Sequence, residues 1–140
     1  MIDCLIIGDS IGVGTAQVRT ECVAYVKGGI NSKQWLDKNI QNTPLVAKTV
    51  IISLGSNDHK YVKTESELDA IRQLTKADRV YWILPAGNLK AGGVDIKDIQ
   101  EIVKKIATKN GDIVLPITRL QSDGIHPSWA GYKKLAEETK

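Results

Sequence analysis

Phenylalanine is absent from this 140-residue chain, which also holds one methionine, two cysteines and four prolines. Without phenylalanine, core volume has to come from Ile, Val, Leu and three tryptophans. Two cysteines, Cys4 and Cys22, are too few for a disulfide-rich secreted framework. They can pair only if their strands are neighbours in a suitable geometry. No apolar run approaches the ~18–20 residues of a membrane span. Nor does a basic n-region with an apolar h-region head the chain, since Leu5-Ile6-Ile7 leads straight into Gly8. The expectation is a soluble protein, cytoplasmic by default. Excess charge is missing too: 19 basic and 16 acidic residues leave +3, with lysines mixed among acids. That argues against a dedicated nucleic-acid patch. Oligomeric state has no signature in the sequence.

What is present is alternation. Apolar β-rich runs occupy Ile2 to Ile7, Cys22 to Val26, Thr49 to Leu54, Arg79 to Leu84 and Asp112 to Leu115. Gly or Pro bounds each run, as expected for strands covered on both faces of a parallel sheet. Helix signals lie between them. Asn31 can cap a segment carrying Trp35, Leu36 and Ile40. Thr64 with Glu67 has capping-box spacing. From Asp95, the residues Ile96, Ile99, Ile102, Val103 and Ile106 share one stripe, and Gly111 follows. Pro127 is placed to open a last helix through Tyr132 and Leu135. The pattern predicts a single α/β domain over residues 1–140, three layers deep, with a five-stranded parallel sheet of flavodoxin-like type. A chain of this length buries roughly 70% of its unfolded surface, enough for one self-sufficient core.

In such a sheet, ligands bind beyond the carboxyl ends of the strands. Gly8-Asp9-Ser10 follows the first run, Gly28-Gly29-Ile30-Asn31 the second and Gly55-Ser56-Asn57-Asp58-His59 the third. The fifth leads to Asp123-Gly124-Ile125-His126. Nucleophile, oxyanion donors, base and base-orienter thus converge on one rim, the set an acyl-transfer site requires. Asp123 and His126 lie three apart in a turn-prone stretch, so the carboxylate can fix the imidazole tautomer. The chain has two histidines, so the base is His126 or His59.

These blocks resemble those of the SGNH, or GDSL-type, hydrolases, in motif order and over the whole chain. The resemblance implies Ser10 as nucleophile, His126 as base and Asp123 as its partner. It implies an oxyanion hole from the Ser10 amide, the Asn57 side chain and Gly29, with Gly28 as the competing register. The activity implied is that of a serine esterase acting through an acyl-enzyme. Small-molecule or carbohydrate acyl esters are its expected substrates, and it needs no metal or organic cofactor. Acyl transfer to another alcohol would use the same residues.

Other readings of the same residues are blander. Ser10 can be a helix N-cap, Asn57 an Asx-turn residue and His59 a solvated loop residue. Asp9 and Asp58 are expected to organise their loops, Trp35 and Trp82 to be core, and Trp129 to wall a pocket or pack the last helix. Gly12 and Gly14 lack the residues of a phosphate loop, and no zinc spacing occurs. A non-catalytic binding module or a phosphate-accepting receiver-like domain is the competing class. The receiver reading would use acids such as Asp9 and Asp58, but no lysine follows the fifth run. The segment Pro85 to Val94, with Gly87, Asn88, Gly92 and Gly93, reads as the longest non-helical connection. It is too small for a lid, so the expected pocket is open, shallow and suited to short acyl groups.

Overall fold

The computed structural model describes residues 1–87 and 93–140. Five parallel strands form one sheet: β1 (Ile2–Gly8), β2 (Val23–Val26), β3 (Leu45–Ser53), β4 (Thr75–Ile83) and β5 (Ile113–Leu115). Their spatial order is β2-β1-β3-β4-β5. Helices α1 (Ser10–Val18), α2 (Ser32–Asn39), α3 (Thr64–Gln73), α4 (Ile96–Asn110) and α5 (Trp129–Glu138) connect and cover them.

Strand periodicity splits the core into two layers. Leu5, Ile7, Val50, Ile52 and Trp82 face one way and pack with Trp35, Leu68, Ile71, Val103 and Ile106 of α2, α3 and α4. Ile6, Ile51, Tyr81 and Ile83 face the other way, against Ile11 of α1 and Tyr132 and Leu135 of α5. Successive side chains on a strand point to opposite faces, so a run such as Leu5-Ile6-Ile7 feeds both layers. Trp35 and Trp82 are fully buried, as expected of core residues.

β3 and β4 each begin four residues before the apolar runs that announce them. Val46 and Lys48 are exposed while Leu45 and Ala47 are buried, so this half of β3 alternates instead of reading as a continuous run. The polar start of β4 is held by pairing, Leu45 with Thr75 and Ala47 with Ala77.

Two caps differ from expectation. The Thr64/Glu67 capping box does not form. Lys63 is the N-cap without a side-chain bond, and the Thr64 hydroxyl donates instead to Asp58 Oδ2 at 2.8 Å. A buried carboxylate is the stronger acceptor. Pro127 does not open α5 either. It pairs with Leu120 in an antiparallel bridge, and Ser128 caps the helix by accepting from the Gly131 amide. The Asn31 cap forms as a full capping box with Gln34, and α4 runs from its Asp95 cap to a left-handed Gly111.

Leu5 pairs with Val23, which sets Cys4 beside Cys22 with their Cα atoms 4.8 Å apart, and the two form a disulfide. Among the described residues no helix is long and apolar enough to cross a membrane. Residues 116–128, between β5 and α5, form a non-helical connection that is longer in sequence than the segment Pro85 to Val94. Asn88 and Gly92 of that second segment lie outside the described residues.

Candidate active site

The turn after β1 is held from within. A Cβ on Gly8 would collide with the Ser53 carbonyl, so only glycine lets β1 and β3 close up here. The next amide, Asp9 N–H, donates to that carbonyl at 2.9 Å. Asp9 is the N-cap of α1: its Oδ1 accepts from the Ile11 amide at 3.0 Å and from Ser53 Oγ at 3.3 Å. Among the described residues its Oδ2 has no partner, and burial pushes the carboxyl up to about 6 against the pull of its hydrogen bonds. The cap is thus Asp9, which leaves Ser10 as the first helical residue with its hydroxyl free for another partner.

That partner is His126. Ser10 Oγ lies 2.8 Å from His126 Nε2, and His126 Nδ1 lies 2.7 Å from Asp123 Oδ2. The loop bearing both residues is clamped. Gln121 N–H donates to the His126 carbonyl, Ser128 N–H to the Arg119 carbonyl, and Gly124 N–H to the Gln121 carbonyl. Within it, Asp123 Oδ1 accepts from the amides of Ile125 and His126. The Ile125 amide, then the His126 ring and amide, hold the Asp123 carboxyl down at about 2. An ionised carboxylate can only accept, so Nδ1 carries a proton, and a ring with no second proton presents Nε2 as acceptor to the Ser10 hydroxyl. The chain of bonds is oriented to draw a proton from the serine.

The second and third blocks are tied to the same rim. Lys27 N–H donates to the Gly8 carbonyl at 3.0 Å. Gly29 takes a left-handed φ of 78°, and a Cβ on Gly28 would stand 4.0 Å from Ser10 Cβ, so Gly28 passes beside Ser10. Asn57 Nδ2 donates to the Ile30 carbonyl at 3.1 Å, which fixes the amide plane, and among the described residues its second hydrogen has no partner. Asp58 joins the blocks, accepting from Ser32 N–H and the Thr64 hydroxyl, both at 2.8 Å. Asp9 and Asp58 therefore organise their loops, as expected.

Two concavities lie along the rim. A groove of about 600 Å³ runs past Lys27, Gly28, Gly29, Gln34 and Lys38. A separate recess of about 20 Å³ is lined by Gly55, Ser56, Ala86, Ile99 and Ile125. Ile125 is a site-bordering residue that sequence reasoning did not single out; its one signal is adjacency to His126. His59 stays outside, exposed, with Nδ1 accepting from the Tyr61 amide. Trp129 is 56% exposed and does not pack α5 against the core. Cys4, Glu21 and Cys22 cluster like metal ligands, but the sulfurs are bonded to each other and Glu21 holds Arg19.

No protein-family model matches the chain, and no curated protein does. Solved structures do. A GDSL-like lipase from Bacteroides thetaiotaomicron aligns with a TM-score of 0.71 at 17% identity, over 97% of this chain and 84% of its own. A member of the lipolytic G-D-S-L family from Veillonella parvula aligns at 0.67 and 13%, over 99% and 96%. An acetyl-xylooligosaccharide esterase from Geobacillus, as a point mutant, aligns at 0.64 and 20%, over 96% and 90%. At these identities the likeness is one of fold: the chain has the three-layer α/β fold of the GDSL-type, or SGNH, hydrolases.

Proposed function

We propose that the protein is a serine esterase that hydrolyses short-chain acyl esters, acetyl esters of carbohydrates in particular. The observation that carries this reading is the unbroken hydrogen-bonded chain from Asp123 through His126 to Ser10.

Ser10 Oγ attacks the ester carbonyl as its proton passes to His126 Nε2, and Asp123 stabilises the imidazolium that forms. The oxyanion is met by the Ser10 amide, an amide of the Gly28–Gly29 pair and the second Asn57 Nδ2 hydrogen. The C–O bond then breaks, the alcohol leaves with the proton from His126, and water attacks the acyl-enzyme with His126 as base.

A recess of about 20 Å³ has room for little more than a methyl group, which favours acetyl over longer chains. The acetyl-xylooligosaccharide esterase of the same fold supports the same acyl group and a sugar alcohol. His126 and Asp123 side chains are 35% and 42% exposed, so water reaches the acyl-enzyme and hydrolysis is favoured over transfer. A receiver-like role is disfavoured because Asp9 and Asp58 are buried, and both Asp58 oxygens are already bonded.

Intact mass after treatment with a fluorophosphonate tests the reading. One adduct on wild type, absent from Ser10→Ala and slowed in His126→Ala, is expected. No adduct on folded wild type overturns it.

A further inference from the structure

The groove beside Ser10 has more chemistry than an acetyl group can use. It begins at Gly28, against the nucleophile, and extends to Lys27 at the end of β2 and to Gln34 and Lys38 on α2. Gln34 and Lys38 are one turn apart on the same helix face. The Lys27 backbone is fixed to the Gly8 carbonyl, two residues from Ser10, so this side chain starts from a held point beside the site. Among the described residues neither Lys27 nor Lys38 has a carboxylate within 4.0 Å. One acid, Asp37, lines the groove, and Lys33 already holds it at 2.8 Å. Lys27 and Lys38 against Asp37 leave the lining of the groove net positive.

A second groove of about 210 Å³ follows β2, the edge strand, past Tyr25 and Trp35, and Lys27 and Lys38 line it too. Lys27 and Lys38 are thus shared by the lining of both concavities. The small recess beside Ile125 shares no lining residue with this groove and suits the acyl group. That leaves the lysine-lined side for the alcohol.

We propose that Lys27 and Lys38 form an anion-binding subsite that receives a carboxylate or phosphate carried on the alcohol part of the ester. This rests on the esterase reading above and extends it: the favoured substrate is an acetylated acidic sugar. The lysines touch the part of the substrate that does not react. Their contribution therefore enters through KM, and it is screened by salt as exposed charge pairs are.

The test uses three matched esters, the mono-O-acetylated methyl glycosides of galactose, galacturonic acid and galactose 6-phosphate. They are compared on wild type, a Lys27→Gln/Lys38→Gln double variant and a Lys48→Gln control at the far end of β3. Wild type is expected to favour one or both anionic esters in kcat/KM by about tenfold at low salt, each exposed pair supplying at most about fivefold. The preference is expected to disappear in the double variant, persist in the control and shrink as salt is added. Preference for the uronate alone assigns the subsite to carboxylate, and preference for the sugar phosphate alone assigns it to phosphate. Turnover of all three esters without preference overturns the subsite and leaves the esterase standing. A preference that survives in the double variant also overturns it. No turnover of any ester and no fluorophosphonate adduct overturns both.

Discussion

Ser10 Oγ and His126 Nε2 stand 2.8 Å apart although 116 residues separate them in the chain. The sheet makes this possible: β1 delivers the serine to the rim, and the clamped loop after β5 delivers the histidine to the same place. Asp123 Oδ2 lies 2.7 Å from Nδ1 on the other side of the ring.

Asp123→Asn is expected to lower kcat by ~10³–10⁴ with little change in KM. The amide can donate to Nδ1, which favours the tautomer that has lost its acceptor at Nε2. Steady-state kinetics on an acetyl ester, with circular dichroism to confirm folding, provide the check. A loss below tenfold would show that solvent, not Asp123, orients the ring. Because the Asp123 carboxyl is held at about 2, it stays ionised through the ordinary working range. A kinetic pKa near 4 should therefore not trace to Asp123.

The rim was legible in the sequence because its residues follow strand ends directly. Gly8-Asp9-Ser10 and Asp123-x-x-His126 each carry their own local reason, a tight βα turn and a carboxylate within reach of a ring. What stayed illegible depends on long-range neighbours. The Thr64 hydroxyl turns from its own helix to Asp58 because β3 places that carboxylate beside it. The first half of β4 is polar and becomes strand by pairing with β3. Cys4 and Cys22 bond because the β1–β2 register sets them side by side. Lys27 and Lys38 sit on different elements, and nothing in their local sequence says that they share a groove.

Asn57→Ala is expected to reduce kcat by ~10²–10³, the usual effect of losing one oxyanion donor. The same substitution removes the bond to the Ile30 carbonyl, which loosens the turn after Gly29. Asn57→Asp keeps an oxygen in place but offers no donor, so it should be at least as impaired. Comparable turnover in both variants and wild type would remove Asn57 from the oxyanion hole.

Asp112 joins three elements at the end of the sheet away from the rim. Its carboxylate takes Arg72 Nε at 2.7 Å and Nη2 at 3.0 Å, and Trp82 Nε1 at 2.9 Å. The Asp112 side chain is 3% exposed, so solvent cannot replace these bonds. Asp112→Ala would strand a guanidinium and an indole N–H, costing about 3–5 kcal/mol of stability. Urea unfolding should show that loss, while kcat of the folded variant stays at the wild-type level.

Asp9 makes stability depend on pH in a direction opposite to that of a salt-bridged acid. Its folded pKa is raised from 3.8 to about 6, chiefly by burial, so the folded state holds the proton more tightly than the unfolded chain. Between about pH 4 and 6 the native state then binds more protons, and stability from this group falls as pH rises. The full difference is on the order of 3 kcal/mol, and it is complete above pH 6. Asp9→Asn keeps an Oδ1 acceptor for Ile11 and Ser53 and has no proton to lose. Urea midpoints measured at intervals from pH 4 to 7.5 should therefore show the variant gaining about 3 kcal/mol relative to wild type across that window. Parallel curves would mean that the Asp9 carboxylate finds compensation for its charge at neutral pH, and that its unpartnered Oδ2 is satisfied in solution.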